Sequence, residues 1–149
     1  MITLPTAADT HAFGRRLSAV LRTGDLVVLD GPLGAGKTVL VQGIGAGLGV
    51  RGTVVSPTFV IARVHQGDPP LVHVDAYRLG SLAEVDDLDL DVSTDAAVTV
   101  VEWGFGKVEQ LASSHLLIAI RRDETSDVRT IELHPHGGDW AQRIAAFVG

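Results

Sequence analysis

The sequence predicts a three-layer α/β fold whose mixed sheet is parallel at its centre and carries a β-hairpin insertion. Three observations point that way. Helix-like and strand-like segments alternate through the first half, the apolar runs within 25–30 and 97–102 suit strands buried on both faces, and strand pairs joined by short polar turns follow. At 149 residues the chain has enough material for one hydrophobic core and too little for two. One domain, residues 1–149, is therefore expected to carry everything.

Taken in order, residues 6–21 place Ala8, Ala12, Phe13, Leu17, Val20 and Leu21 on one helical face, with Arg15 and Arg16 off it. Thr23 and Gly24 break that helix. Asp25 to Asp30, with a Leu-Val-Val-Leu interior, is too short for a helix and reads as a strand. A second helix is expected from Thr38 to Leu48, although Gly43, Gly45 and Gly47 each weaken it by about 1 kcal/mol relative to alanine. Close packing against a sheet would offset that. Thr53 to His65 and Leu71 to Asp75 read as an antiparallel hairpin across Gln66-Gly67-Asp68-Pro69-Pro70. Ser81 to Leu88 has the spacing of a capped short helix, with Glu84 three residues after Ser81. Ala97 to Glu102 is a central strand, Lys107 to Leu111 a short helical segment, His115 to Arg121 and Val128 to Leu133 two further strands, and Trp140 to Val148 a terminal helix.

Composition narrows the function. The chain is 46% hydrophobic and 20% charged, the balance of a folded soluble protein. It has no cysteine, so disulfides and thiolate metal sites are excluded. No basic leader and no run of roughly 20 apolar residues stands in it, which makes a cytoplasmic location the default and a membrane no expected partner. A net charge of -6 argues against this chain gripping DNA or tRNA by itself, so any tRNA connection would run through a partner. Its two lysines are Lys37 and Lys107, and Lys37 sits inside a glycine-rich motif.

That motif is Gly31-Pro32-Leu33-Gly34-Ala35-Gly36-Lys37-Thr38, which fits G-x-x-x-x-G-K-[ST] at every fixed position between an expected strand and an expected helix. A P-loop NTPase-like fold with bound ATP and Mg2+ follows. The glycines let backbone N–H groups turn toward phosphate oxygens, the helix N-terminus adds partial positive charge, Lys37 can bridge the β- and γ-phosphates, and Thr38 offers a hydroxyl to Mg2+. Gly31, Leu33, Gly34, Ala35, Gly36, Lys37, Thr38 and Val39 form the expected ATP-binding run.

A phosphate loop needs an acidic residue at the end of a neighbouring strand to hold magnesium. Val98-Thr99-Val100-Val101-Glu102 is an apolar strand ending in a carboxylate, which makes Glu102 the first candidate. Asp75 is the second. If its strand persists, His73, Asp75 and Tyr77 share one face, a pattern that equally suits a core histidine and a turn-starting aspartate. The acidic run from Glu84 to Asp95 begins like an EF-hand loop at Asp87, but Val92 stands where a glycine is needed and Val98 where a bidentate glutamate is needed. It reads as solvated surface. His134-Pro135-His136 reads as a surface turn rather than a zinc site.

Four segments in order resemble the TsaE family: the phosphate loop, Ser56-Pro57-Thr58-Phe59, His73-Val74-Asp75-Ala76-Tyr77-Arg78-Leu79, and Val101-Glu102-Trp103. The resemblance implies an ATPase of tRNA threonylcarbamoyladenosine biosynthesis, working with the TsaD and TsaB proteins on adenosine 37 and reaching tRNA only through that complex. It implies that Lys37 and Thr38 bind phosphate and Mg2+, that Glu102 is the magnesium carboxylate, and that Asp75 lies at the γ-phosphate side. Lys37, Asp75 and Glu102 would form the catalytic set, Thr38 and Glu102 the metal set. Ser56, Pro57, Thr58 and Phe59 would form the nucleotide-sensitive switch loop, and Trp103 would lie beside the nucleotide. Pro32, Val39 and Gly104 depart from residues common in the family, without removing a phosphate or metal ligand. Two other functions share the phosphate loop: a small-molecule kinase, which needs a substrate pocket and an arginine-bearing lid, and a non-hydrolysing nucleotide-dependent scaffold.

Overall fold

The computed structural model describes residues 2–31, 36–50, 62–67, 69–75, 97–102, 114–123, 125–126 and 128–148, with backbone alone at 62–64, 74, 75 and 148. The expected segments at 53–61, 81–88 and 107–111 lie outside the described residues. Among the described residues seven strands form one sheet: β1 (Ile2–Leu4), β2 (Leu26–Asp30), β3 (Ala62–His65), β4 (Leu71–Asp75), β5 (Val98–Glu102), β6 (His115–Arg122) and β7 (Arg129–His136). Their spatial order is β1-β7-β6-β2-β5-β4-β3. The block β6-β2-β5-β4 is parallel, and antiparallel strands flank it on both sides. The expected mixed sheet, parallel at its centre, is the observed one, and β3 with β4 forms the expected antiparallel hairpin.

Central β2 is buried on both faces, as its unbroken apolar interior requires. Val27 and Leu29 join the main core with Val100, Leu116 and Ile118, whereas Leu26, Val28 and Val101 are buried on the opposite face. Helices α1 (Ala7–Leu17), α2 (Lys37–Gly47) and α3 (Trp140–Val148) contribute Phe13, Leu17, Leu40, Ile44, Trp140 and Ile144 to that main core.

Helix α1 starts at a capping box. Thr6 accepts a hydrogen bond from the Asp9 amide and the Asp9 carboxylate accepts one from the Thr6 amide, satisfying two orphan donors reciprocally. The helix ends in a 3-10 turn over Ser18–Val20. Its buried stripe is Thr10, Phe13, Gly14 and Leu17, while Ala8 and Ala12 are exposed, which corrects the expected face. The reason is the neighbour: α1 lies against α2 through glycines instead of larger apolar side chains. A Cβ on Gly43 would sit 2.1 Å from the His11 carbonyl oxygen, one on Gly14 2.5 Å from the Leu40 carbonyl oxygen, and one on Gly47 1.8 Å from Ser18 Oγ. The glycines of α2 therefore serve close packing against a helix, and the sheet is not the partner expected for them.

Helix α2 ends in a Schellman motif. The Val50 amide reaches the Gly45 carbonyl at 2.9 Å and the Gly49 amide reaches Ala46 at 3.2 Å, with Gly49 at φ 75°. Helix α3 is tied to the start of β2 by Arg143, whose guanidinium donates to Asp25 and to the Val20 carbonyl and lies 4.0 Å over the Trp140 ring. Arg22 pairs with Asp139 at the first turn of α3, and that hydrogen bond holds the Asp139 carboxyl below its ordinary range.

Strand β1 has no counterpart in the sequence reading, because three residues are too few for a recognisable period. Strand β7 extends through His136, so His134-Pro135-His136 is strand and not turn. Pro135 stands opposite Leu116 of β6, while on its other side β1 pairs only as far as Ile131, so no ladder bond there is lost with the missing N–H. His136 stacks on His115 across the strands at 4.7 Å.

Gly43→Ala gains about 1 kcal/mol of helix propensity. The contact with the His11 carbonyl should outweigh it, giving a net loss of about 1–3 kcal/mol in urea unfolding. A raised urea midpoint would show that α1 and α2 are further apart than described here.

Candidate functional site

The carboxyl ends of parallel strands are where α/β sheets bind ligands, because loops leave there and helix N-termini point there. In this sheet the edge is formed by Asp30, Glu102 and Asp75, which end β2, β5 and β4. Leu29 stands opposite Glu102, and Glu102 opposite Asp75, so positions 29, 102 and 75 lie on the sheet face that α2 covers, whereas Asp30, one residue after Leu29, lies on the other.

Gly31 follows β2 directly and is buried, and α2 begins at Lys37, with Gly36 as its N-cap. Lys37 folds back so that Nζ donates to the Gly31 carbonyl oxygen at 2.7 Å, with the side chain only 6% exposed. The two ends of the glycine-rich segment are thereby fastened together. Gly36 caps α2 in the left-handed region, at φ 100°, and offers no side chain to the first-turn amides. A helix start without a side-chain cap, with the helix dipole behind it, suits an anion. Thr38 and Val39 are half-buried in the first turn.

Glu102 is 6% exposed, and its Oε2 lies 3.0 Å from Nε2 of fully buried His73. His73 is two residues before Asp75 and stands opposite Val100, so it and Glu102 are diagonal neighbours on one face. The His73 reading left open above thus resolves toward a histidine that is both in the core and bonded to a candidate site residue. Asp75 is in register beside Glu102. Pro32, Leu33, Gly34, Ala35, the segment Ser56 to Phe59, Tyr77, Arg78 and Trp103 lie outside the described residues, as does the Asp75 side chain.

Hard oxygen donors suit Mg2+, and two are present in the strand-end and helix-start positions: the Thr38 hydroxyl and the Glu102 carboxylate. Among the described residues only Oε2 of Glu102 is hydrogen-bonded, and Oε1 is not. The donor set fits the cation. No cluster of three or more histidine, cysteine and acidic side chains suited to a metal stands among the described residues, here or elsewhere.

The model of the family described as threonylcarbamoyl adenosine biosynthesis protein TsaE matches residues 4–131. The chain belongs to the TsaE family. It is 60% identical over 135 residues to the tRNA threonylcarbamoyladenosine biosynthesis protein TsaE of Streptomyces coelicolor, covering 86% of this chain and 91% of that one. It is 50% identical over 137 residues to the protein of the same name in Mycobacterium bovis, covering 85% and 82%. The crystal structure of YdiB from Bacillus subtilis superposes with a TM-score of 0.80 at 29% identity, over 99% of this chain and 92% of that one.

One residue near the loop of this TsaE family member is absent from the sequence reading. Arg129, at the start of β7, is only 7% exposed, and a Cβ on Gly36 would meet its Nε at 2.8 Å. Arg129 also stands opposite Arg122 across the β6–β7 pair. Nothing local in the sequence marks it, because β7 reaches the loop only through the sheet order. Arg121, on the other face, donates to the Asp30 carbonyl at 3.1 Å and pairs with the Asp30 carboxylate.

Gly36→Ala should cost about 1–3 kcal/mol, since φ 100° is strained for any residue with a Cβ. The check is the urea midpoint of the nucleotide-free protein, and an unchanged midpoint would refute the left-handed cap.

Proposed function

We propose that this chain binds and hydrolyses Mg-ATP as the ATPase of tRNA threonylcarbamoyladenosine biosynthesis, in complex with TsaD and TsaB, in support of modification at adenosine 37. Membership of the TsaE family supports the pathway. The observation that carries the nucleotide reading is the Lys37 bond to Gly31, which closes a glycine-rich segment at the carboxyl end of β2, on the face where Glu102 ends the adjacent strand.

Each residue then has a physical task. The uncapped α2 amides and Lys37 draw the phosphate chain to the loop, where Lys37 exchanges part of its bond to Gly31 for phosphate oxygens. Thr38 and Glu102 would hold Mg2+, which supplies charge neutralisation on the phosphate oxygens. Asp75, in register beside Glu102, would lie at the γ-phosphate side, and Ser56 to Phe59 would read the presence of that phosphate. Trp103, following Glu102, would flank the nucleotide. tRNA would be reached through the partners, since the net charge of -6 gives this chain little attraction for a polyanion.

Lys37→Ala is expected to weaken ATP binding severely, because it removes the loop's side-chain cation and leaves the phosphates to backbone dipoles. Isothermal titration with a folded variant decides it, and an unchanged affinity would reject the site.

The isolated chain is expected to hydrolyse ATP slowly. Phosphoryl transfer commonly gains about 10³ to 10⁵ from an arginine aimed at the transferring group. Arg121 is engaged with Asp30, and Arg129 packs against Gly36. Steady-state hydrolysis should rise when a TsaD and TsaB complex with tRNA is titrated in. Rapid turnover by the chain alone, indifferent to the complex, would favour a self-sufficient enzyme such as a small-molecule kinase.

A further inference from the structure

His73 is fully buried, yet it is a polar side chain, in a strand whose partners at that level are Val100 of β5 and Arg63 of β3. Burying an imidazole is costly unless it meets a partner. Its partner is Glu102, at 3.0 Å between Nε2 and Oε2. Nδ1 has no hydrogen-bond partner among the described residues. A proton on Nδ1 would be a buried donor without an acceptor, and a carboxylate oxygen cannot donate to Nε2, so the surroundings select the tautomer with Nε2–H. The bond therefore runs from His73 to Glu102.

We propose that His73 is a positioning residue that holds the Glu102 carboxylate for a divalent cation. This rests on the reading of Glu102 as the magnesium carboxylate. A carboxylate has two oxygens, and the histidine occupies Oε2, leaving Oε1 for the cation or its water. A glutamate side chain has three rotatable bonds, and without the imidazole its head group would sample several rotamers at a strand end. Anchoring one oxygen to a rigid ring on the adjacent strand removes that freedom before the cation arrives. The strand register supplies the anchor: Asp75 pairs with Glu102 and His73 with Val100, so the ring lies one diagonal step from the carboxylate on the α2-covered face. Partners of this kind, one bond removed from the metal, typically change metal affinity by about 10–100-fold when lost.

The experiment is a mutant cycle read by Mg2+ titration into the protein saturated with ADP, with metal-free ADP affinity and urea unfolding as companions. His73→Leu, which removes the donor and keeps an apolar filling, should weaken Mg2+ by about 10–100-fold while metal-free ADP affinity is unchanged. His73→Gln, whose amide N–H can reach the same oxygen, should recover most of the loss. In a Glu102→Gln background His73→Leu should have no further effect, because the group through which it acts is gone. Should His73→Leu fail to fold, His73→Asn, polar but too short to reach Oε2, takes its place. An equal loss in both backgrounds, or no loss beside a Glu102→Gln variant that is impaired, overturns the inference alone. Unchanged Mg2+ affinity in Glu102→Gln overturns the metal reading of Glu102 and the inference with it. Independently of any ligand, ¹⁵N spectra of the free protein should assign His73 as the Nε2–H tautomer, and an Nδ1–H tautomer would also overturn it.

Discussion

The parallel pairing of β2 with β5 is the constraint on which the site depends. It sets Leu29 level with Glu102, so the strand that leads into the glycine-rich segment and the strand that ends in a buried carboxylate finish side by side. Parallel strands must be covered on both faces, and β2 is, with Val27 and Leu29 in the main core and Leu26 and Val28 buried opposite. That burial gives the pairing its register. A slip by one residue would either turn Val27 and Leu29 away from α2 or carry Glu102 to the other face of the sheet.

The phosphate loop also needs its helix held in a fixed place, and this is where the glycines of α2 matter. They lower helix propensity, yet they let α1 and α2 touch backbone to backbone, at His11 with Gly43 and at Gly14 with Leu40. Dispersion over many close atoms offsets the weaker propensity. The capping box at Thr6 and the Schellman motif around Gly49 fix the two helices' outer ends, while Arg143 joins α3 to Asp25 just ahead of β2. The loop thus springs from a strand and enters a helix that are each anchored independently of it.

Charge at the carboxyl edge is arranged by face. Lys37, Glu102 and His73 share the face of α2, with Arg129 packed against Gly36, whereas Asp30 and Arg121 pair on the reverse side. The Asp30 carboxylate is consequently engaged away from the phosphate loop, although it immediately precedes it in the chain. Strand alternation alone produces this separation.

Much of this was legible in the residues. A run such as Leu-Val-Val-Leu or Val-Thr-Val-Val can be stable only where both faces are covered, so the buried strands, and Glu102 as the end of one of them, could be read directly. Helical period alone misplaced the face of α1, because glycine scores as nothing in an apolar pattern and yet Gly14 lies on the face of α1 that meets α2. It was equally silent on β1 and on the strand course of His134 to His136, whose placement comes from a partner strand and not from their own propensities. The sequence by itself determined the chemistry available: one cation in a phosphate loop, two strand-end carboxylates, a helix start. Only the tertiary structure decided which of these meet, because register and strand order join residues 29 apart, as in His73 and Glu102, or bring Arg129 to Gly36, and no local pattern encodes a distance across a sheet.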